Sequence, residues 1–133
     1  DYPFLRMPNV HVEPGPANSP TLAELIADTK KGVMIDGRGS YSIDQQRYNG
    51  QFGGHVFWEI KDGKVDRMVT DVAYNAITTD FWANLEAATG RAEWQMHGTG
   101  GDAKGQPTQS NSISHGSPWL LVRNIMVGGA FDG

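Results

Sequence analysis

An Asp-Gly pair between two strand-like segments constrains the fold of this chain more than any other feature of its sequence. In residues 52–60, the side chains of Val56, Trp58 and Ile60 alternate with those of His55, Phe57 and Glu59, the period of two that is typical of a strand. Asp62 and Gly63 both tolerate the positive φ angles of a two-residue hairpin turn. Residues 64–72 follow as the partner strand. The sequence therefore predicts an antiparallel hairpin at the centre of the chain.

Two segments have the caps and the spacing of short helices. Thr21 and Glu24 form the pattern of a capping box, and the apolar residues that follow share one helical face, which predicts a helix over 21–31. A second helix is predicted over 79–90, because a threonine can cap its start and Gly90 can end it. Both helices are too short to dominate the fold.

The other apolar segments are short and are separated by glycine, proline or polar residues. Gly53 and Gly54 predict a bulge or a close approach of two backbone segments, and the glycine-rich residues 98–105 predict a polar loop. Strands joined by hairpins, with two short helices, favour a mainly β (α+β) fold, either an antiparallel sheet or a partial barrel. Further strands are predicted at residues 6–12, 33–35, 92–96, 108–114 and 118–128.

Length and composition limit the function classes. A chain of 133 residues corresponds to a single domain. The net charge of −4 and the lack of a basic block make nucleic acid a poor partner, because phosphate binding normally requires a clustered positive surface. No apolar run approaches the roughly 20 residues of a membrane-spanning helix, so no membrane association is expected. The absence of cysteine excludes disulfides and thiolate metal ligands.

The densest polar segment, residues 97–116, contains the candidate site residues. Imidazole and carboxylate groups are zinc ligands, which makes His97, Asp102 and His115 candidates. Ser114 and His115 are neighbours and would point to opposite faces of a strand, so they do not form a nucleophile–base pair. The spacing of the candidates does not indicate a complete metal site within this chain. It leaves two alternatives: one or two ligands donated to a site completed elsewhere, or histidines that only hydrogen-bond the backbone.

Short motifs occur in a specific order along most of the chain. The first is Arg6-Met7-x-Asn9 with Pro14-Gly15, and the second is Phe52-Gly53-Gly54 with Asp62-Gly63-Lys64. The third is Lys104-Gly105-Gln106-Pro107-x-Gln109-x-Asn111-x-Ile113-Ser114-His115-Gly116-x-Pro118. In this order, the motifs resemble the C-terminal region of the TldD/PmbA family.

This resemblance implies a cytoplasmic metallopeptidase system, historically described as a modulator of DNA gyrase, that matures peptides or degrades unfolded ones. A catalytic TldD-type subunit pairs with an inactive PmbA-type subunit, so a homodimer or heterodimer and a peptide substrate are expected partners. In the family, zinc is bound by an upstream His-Glu-x-x-x-His motif whose glutamate acts as the general base. Residues 1–133 are then the C-terminal domain of a longer protein, with no catalytic residue of their own and no hydrolysis by this piece alone.

The resemblance also implies one further zinc ligand, often cysteine, just before the Lys-Gly-Gln segment. Counting back from Lys104, that position falls on Asp102. Aspartate can bind zinc, as can His97 five residues earlier, so either residue is expected to supply the third ligand in the full-length protein. The missing thiolate equally fits a non-catalytic, scaffold-type paralogue. The domain is further expected to form a wall of the substrate channel and a dimer surface, with some tryptophan and phenylalanine side chains in an exposed apolar patch.

Overall fold

The computed structural model describes residue 3 and residues 5–130. Its two α-helices are Leu22–Ala27 (α1) and Thr78–Ala83 (α2). The strands are Val10–His11 (β1), Lys31–Asp36 (β2), Tyr41–Ile43 (β3), Asn49–Phe52 (β4), Val56–Lys61 (β5), Lys64–Ile77 (β6), Leu85–Ala88 (β7), Gln95–Lys104 (β8), Gln109–Ser117 (β9), Leu120–Val122 (β10) and Met126–Ala130 (β11). The predicted mainly β fold with two short helices is confirmed, and across the described residues the sheets stay open instead of closing into a barrel. Within the same residues, no helix is long and apolar enough to cross a membrane.

The predicted central hairpin is confirmed and consists of β5 and β6. Asp62 and Gly63 have φ angles of 45° and 77°, as a turn with two positive φ angles requires. Gly63 also lies against α1, because a Cβ atom there would be 2.7 Å from the carbonyl oxygen of Ala27. The turn therefore closes the hairpin and also packs against the first helix.

The largest sheet is organised around β6, the longest strand. Phe52 of β4 lies opposite Tyr74, and Phe57 of β5 lies opposite Val69, so β4 and β5 keep one register along β6. They are two halves of one interrupted strand. β3 pairs with β4, β2 pairs with β5, and β11 pairs with β6.

The interruption between β4 and β5 is the close backbone approach that Gly53 and Gly54 predict. The N–H of Gly53 donates to the carbonyl of Ser40 at 2.8 Å. A Cβ atom on Gly39 would lie 2.6 Å from the nitrogen of Gly54, so these two segments approach as closely as glycine allows. The prediction is therefore confirmed. The break between β2 and β3 lies beside the break between β4 and β5.

The buried core lies on one face of this sheet and is small. Its buried residues are Phe57, Val69 and Val72, with Val33, Ile35 and Val127 packed against them. Leu25, Ile60 and Ile113 are buried at other places in the fold. Because so few apolar side chains are fully buried, the backbone hydrogen bonds between strands determine much of the fold.

Helix α1 is shorter than the predicted helix over 21–31. Its capping box is confirmed, since the Glu24 carboxylate accepts from the N–H of Thr21 at 2.7 Å and the Thr21 hydroxyl accepts from the N–H of Glu24. The helix nevertheless ends before Lys31, which pairs with Lys61 in the adjacent strand. The predicted C-terminal end was wrong, because sheet pairing supplies the hydrogen bonds that another helical turn would have made.

Helix α2 likewise covers only the first half of the predicted helix over 79–90. The N–H of Asn84 donates to the carbonyl of Asp80 and closes the last turn. The following residues form β7 and pair with β10, with Leu120 opposite Ala88. The prediction was wrong beyond residue 84, because the strand that captures this segment is distant in sequence and leaves no local signal.

Residues 98–104 of the predicted loop over 98–105 are part of a strand, and Gly105 begins the turn that follows. β8 pairs with β9, and the register shifts between Thr99 and Asp102, which makes the two intervening glycines a bulge. The prediction was wrong because backbone hydrogen bonds hold this strand, whereas its glycine-rich composition resembles a loop. The predicted strand over 118–128 is divided into β10 and β11, and part of the predicted strand over 92–96 is a 3-10 turn at Arg91–Glu93.

The chain exposes more surface than its mass requires. Its accessible area is 9401 Å², whereas a compact monomer of 14.5 kDa exposes about 6,900 Å². Of the tryptophan and phenylalanine side chains expected in an apolar patch, Trp82 is exposed. The exposed large apolar residues are Leu5, Met7, Val10, Tyr41, Tyr48, Val65, Met68, Ile77, Trp82, Met96 and Met126.

Candidate functional site

The candidate residues lie on a second sheet, in the strand order β1-β9-β8. β1 is the short part of the predicted strand over 6–12 that forms, and it runs parallel to β9 with Val10 opposite His115. The side-chain oxygen of Asn9 accepts from the N–H of Ser114 at 2.9 Å. The N-terminal segment is thereby fixed along β9.

Trp94 anchors the same segment at the end of the sheet. Its Nε1 donates to the carbonyl of Val12 at 3.0 Å, and its ring meets His11 edge-on at 5.8 Å. The guanidinium of Arg91 lies 5.0 Å from the ring centroid. The ring also covers Gly116, where a Cβ atom would lie 1.9 Å from the indole Cζ2. Glycine is therefore required at this position of the Ser-His-Gly motif.

Asp102 lies next to the β8 bulge and forms an ion pair with Arg6. Nη2 of Arg6 donates to Oδ1 of Asp102, which joins residues 96 positions apart. The Asp102 side chain is 12% exposed and that of Arg6 is 32% exposed. Among the described residues, Oδ2 of Asp102 and Nε of Arg6 are buried and have no hydrogen-bond partner. The pair thus neutralises the carboxylate but leaves one of its oxygens unsatisfied, a cost of about 1–3 kcal/mol.

The two predicted metal ligands, His97 and Asp102, are not brought together. His97 lies opposite His115, and Asp102 lies opposite Asn111. The two β9 partners are four residues apart, which corresponds to about 13 Å along a strand. Among the described residues, no group of three or more histidine, cysteine, aspartate or glutamate side chains could hold a metal ion. The ligand roles of His97 and Asp102 stay predictions.

Sequence reasoning missed the facing positions of His97 and His115. The two histidines are 18 residues apart and form no sequence motif, and the interpretation of residues 98–105 as a loop concealed their register. A turn signal was present, since Gly105 with Pro107 separates two segments of similar length. A hairpin closed at that point brings the two segments together, but without the β8 bulge it would place His97 opposite Gly116, so the cross-strand pair depends on the bulge.

An apolar cavity of about 430 Å³ lies between α1, β2 and β10, away from these residues. Burial raises the pKa of the Tyr74 hydroxyl, which lines it, and the Tyr74 ring stacks on Phe52 with centroids 5.3 Å apart. The described lining contains no carboxylate and no histidine. The cavity therefore carries none of the histidine or carboxylate ligands that a metal-dependent hydrolytic site needs.

Comparison with known families identifies the chain. The family model described as the PmbA/TldA metallopeptidase C-terminal domain matches residues 1–129. The chain belongs to this family. The membership confirms the resemblance that its motifs indicated.

Two archaeal members of the family are similar to the chain. A metalloprotease of Methanothermobacter thermautotrophicus is 28% identical over 135 residues, covering 97% of this chain and 27% of the relative. Metalloprotease MJ0996 of Methanocaldococcus jannaschii is 25% identical over 105 residues, covering 79% of this chain and 23% of the relative. The chain thus spans about a quarter of the length of these curated relatives.

A metallopeptidase family implies a metal ion, and Asp102 has the chemistry of one ligand. Carboxylate oxygens bind zinc. Arg6 holds Oδ1, while the buried Oδ2 is without a partner among the described residues. One carboxylate does not make a site, so the remaining ligands would have to come from outside the described residues.

Proposed function

We propose that this chain is the C-terminal domain of a cytoplasmic zinc metallopeptidase that matures peptides or degrades unfolded ones, and that Asp102 supplies a metal ligand. Family membership and the names of the two relatives support a metallopeptidase. The observation that carries the ligand role is the unsatisfied Oδ2 of Asp102, just before Lys104-Gly105-Gln106. His97 is the less favoured ligand, because it is exposed and lies on the other side of the bulge.

Arg6 and Asp102 have different roles in the proposed metal site. Bound zinc supplies a Lewis acid and lowers the pKa of a water molecule. Arg6 holds Oδ1 and so orients the carboxylate, leaving Oδ2 as the atom available for the metal. Asp102 follows the β8 bulge and contacts Arg6 of the N-terminal segment. The general base and the other ligands belong to polypeptide outside these residues.

The outer edge of β8 supports a role as a wall of the substrate channel. β8 is the last strand of the sheet, and among the described strands only β9 pairs with it. A Cβ atom on Gly98, Gly100 or Gly101 would meet nothing within 4 Å, so the space above and below the sheet is open at these positions of the edge strand. An extended peptide can add to such an edge through main-chain hydrogen bonds, independent of its sequence.

The large accessible area supports a contact surface for a homologous TldD/PmbA-type subunit. The excess over a compact monomer is about 2,500 Å², the amount that one partner buries in a large obligate interface. Exposed residues such as Met68, Met96 and Trp82 supply the apolar component. Dimer formation through this domain would protect these side chains from solvent.

A non-catalytic scaffold is the second candidate function. The ion pair with Arg6 already neutralises Asp102, and no cysteine is present to replace it as a ligand. A domain of this kind would keep the interface and the β8 edge but would not bind zinc at Asp102.

Zinc content of the full-length protein distinguishes the two candidates. Asp102→Ala should lower the zinc content and abolish peptide hydrolysis, whereas Asp102→Cys should retain zinc because a thiolate is a zinc ligand. Asp66→Ala is the matched control, since Asp66 is an exposed aspartate paired with Lys61. Far-UV circular dichroism of each variant separates loss of metal from loss of fold.

Unchanged zinc content in a folded Asp102→Ala variant would reject the ligand role and leave the scaffold. Loss of zinc in Asp102→Ala, together with retention in Asp102→Cys, would support the enzyme. Loss of zinc in both variants, with the fold intact, would also count against a direct ligand at this position.

A further inference from the structure

The geometry points to a second metal site on this domain: His97 and His115 form a two-imidazole chelate for a divalent transition-metal ion such as Zn²⁺. They are directly opposite in the antiparallel pair of β8 and β9, so their side chains share one face of the sheet. Directly opposite residues have Cβ atoms about 4.5–5.5 Å apart. Two imidazole nitrogens on one zinc ion are about 3.3 Å apart, a separation that two histidines at this spacing can reach.

His115 is held in the orientation that a ligand needs. In one tautomer its Nδ1 accepts from the N–H of Val10 at 3.3 Å, and in the other it donates to the carbonyl oxygen of Val10 at 3.3 Å. When Nδ1 carries the proton, it donates to that carbonyl and leaves Nε2 as the free acceptor. Metal-binding histidines are typically fixed in this way by a backbone carbonyl on the other ring nitrogen. The contact with β1 thus holds the ring in place, and the tautomer that donates to the carbonyl presents Nε2 to an ion.

The side chain of His97 is free to turn toward a metal ion. It is exposed, so no packing restricts its side-chain torsions. Imidazole favours Zn²⁺, Ni²⁺ and Cu²⁺ over Mg²⁺ and Ca²⁺, which prefer oxygen ligands. The described residues add no third histidine or carboxylate at this place, so water would fill the other coordination positions.

This site is separate from the ligand position at Asp102. The two lie on opposite sides of the β8 bulge, at β9 partners about 13 Å apart. An ion bound by the histidines would clamp β8, β9 and β1 together without contacting the Arg6–Asp102 pair. The inference therefore does not depend on the catalytic role proposed for Asp102.

Zinc binding to variants of the full-length protein tests the inference. Bound Zn²⁺ per chain is measured by atomic absorption after equilibrium dialysis over a range of free Zn²⁺, with Mg²⁺ as the oxygen-preferring control ion. His97→Ala and His115→Ala should each weaken one class of sites at least about tenfold, because a single imidazole cannot chelate. His97→Asp should retain part of the affinity. His55→Ala, which changes an exposed histidine outside this sheet, should change nothing.

Asp102→Asn separates this site from the proposed catalytic one, because it should leave the histidine-dependent binding unchanged. Zinc binding that is equal in the wild type, His97→Ala and His115→Ala would overturn the inference. Binding lost only in Asp102→Asn would do the same while supporting the proposed function. His115→Ala removes the contact with Val10 and could disturb the sheet. His97 is exposed, so His97→Ala removes one imidazole without that effect and tests the site on its own.

Discussion

Replacement of Gly116 by alanine should destabilise the domain by about 1.5–4.5 kcal/mol. The new Cβ atom would lie 1.9 Å from Cζ2 of Trp94, so the indole has to move. Overpacking of this kind costs about 1–3 kcal/mol, and loss of the hydrogen bond from Trp94 to Val12 adds about 0.5–1.5 kcal/mol. For a domain of this size, the melting temperature should fall by about 10 °C.

Gly98→Ala is the matched control, because it lies in the same sheet and its Cβ atom would meet nothing within 4 Å. Alanine is favoured over glycine inside a strand by about 0.5–1 kcal/mol, so this variant should be as stable as the wild type or slightly more stable. Thermal unfolding followed by circular dichroism gives the melting temperatures, and tryptophan fluorescence reports displacement of the indole. Equal melting temperatures for the two variants would refute the argument that Trp94 packs on Gly116.

Two further predictions concern ion pairs. Arg6→Ala should destabilise the protein by about 1–3 kcal/mol, because it leaves the Asp102 carboxylate without its partner. Adding Asp102→Asn should restore part of that loss. Chemical denaturation measures the free energy of unfolding of the single and double variants, and additive effects of the two substitutions would show that the pair is unimportant. The hydrogen bond from Arg123 lowers the pKa of Glu86 below its ordinary value of 4.5, so the contribution of this pair is present above that value and is lost as the pH falls through the lowered pKa. The stability difference between the wild type and Arg123→Ala should therefore shrink on acidification, and a difference that is constant with pH would contradict the assignment.

Local signals in the sequence were sufficient for some elements. The turn at Asp62-Gly63 and the cap at Thr21 each follow from a few adjacent residues whose backbone preferences are strong. The glycines at 53 and 54 similarly indicated a close approach, and the backbone of Gly54 does lie so near Gly39 that a Cβ atom there would be 2.6 Å from the Gly54 nitrogen. Features determined by neighbouring residues could therefore be predicted.

Elements determined by pairing with another strand could not be predicted in this way. The segment from 98 to 104 is a strand because β9 supplies its hydrogen bonds, although its glycines indicate a loop. The same dependence limited the candidate site: Asp102 could be selected through the family motif, whereas its ion pair with Arg6 joins residues 96 positions apart. The facing positions of His97 and His115 depend on the same strand register, which no local pattern specifies.

The parallel pairing of β1 with β9 has a consequence for the order in which the protein folds. During synthesis, the segment that carries Arg6 leaves the ribosome about a hundred residues before the strand that receives it. Contacts between such distant segments form late, because a long loop must first be closed. Until the chain has been made through β9, Asp102 lacks the scaffold that holds it near Arg6, so the candidate site is among the last parts of the domain to be assembled.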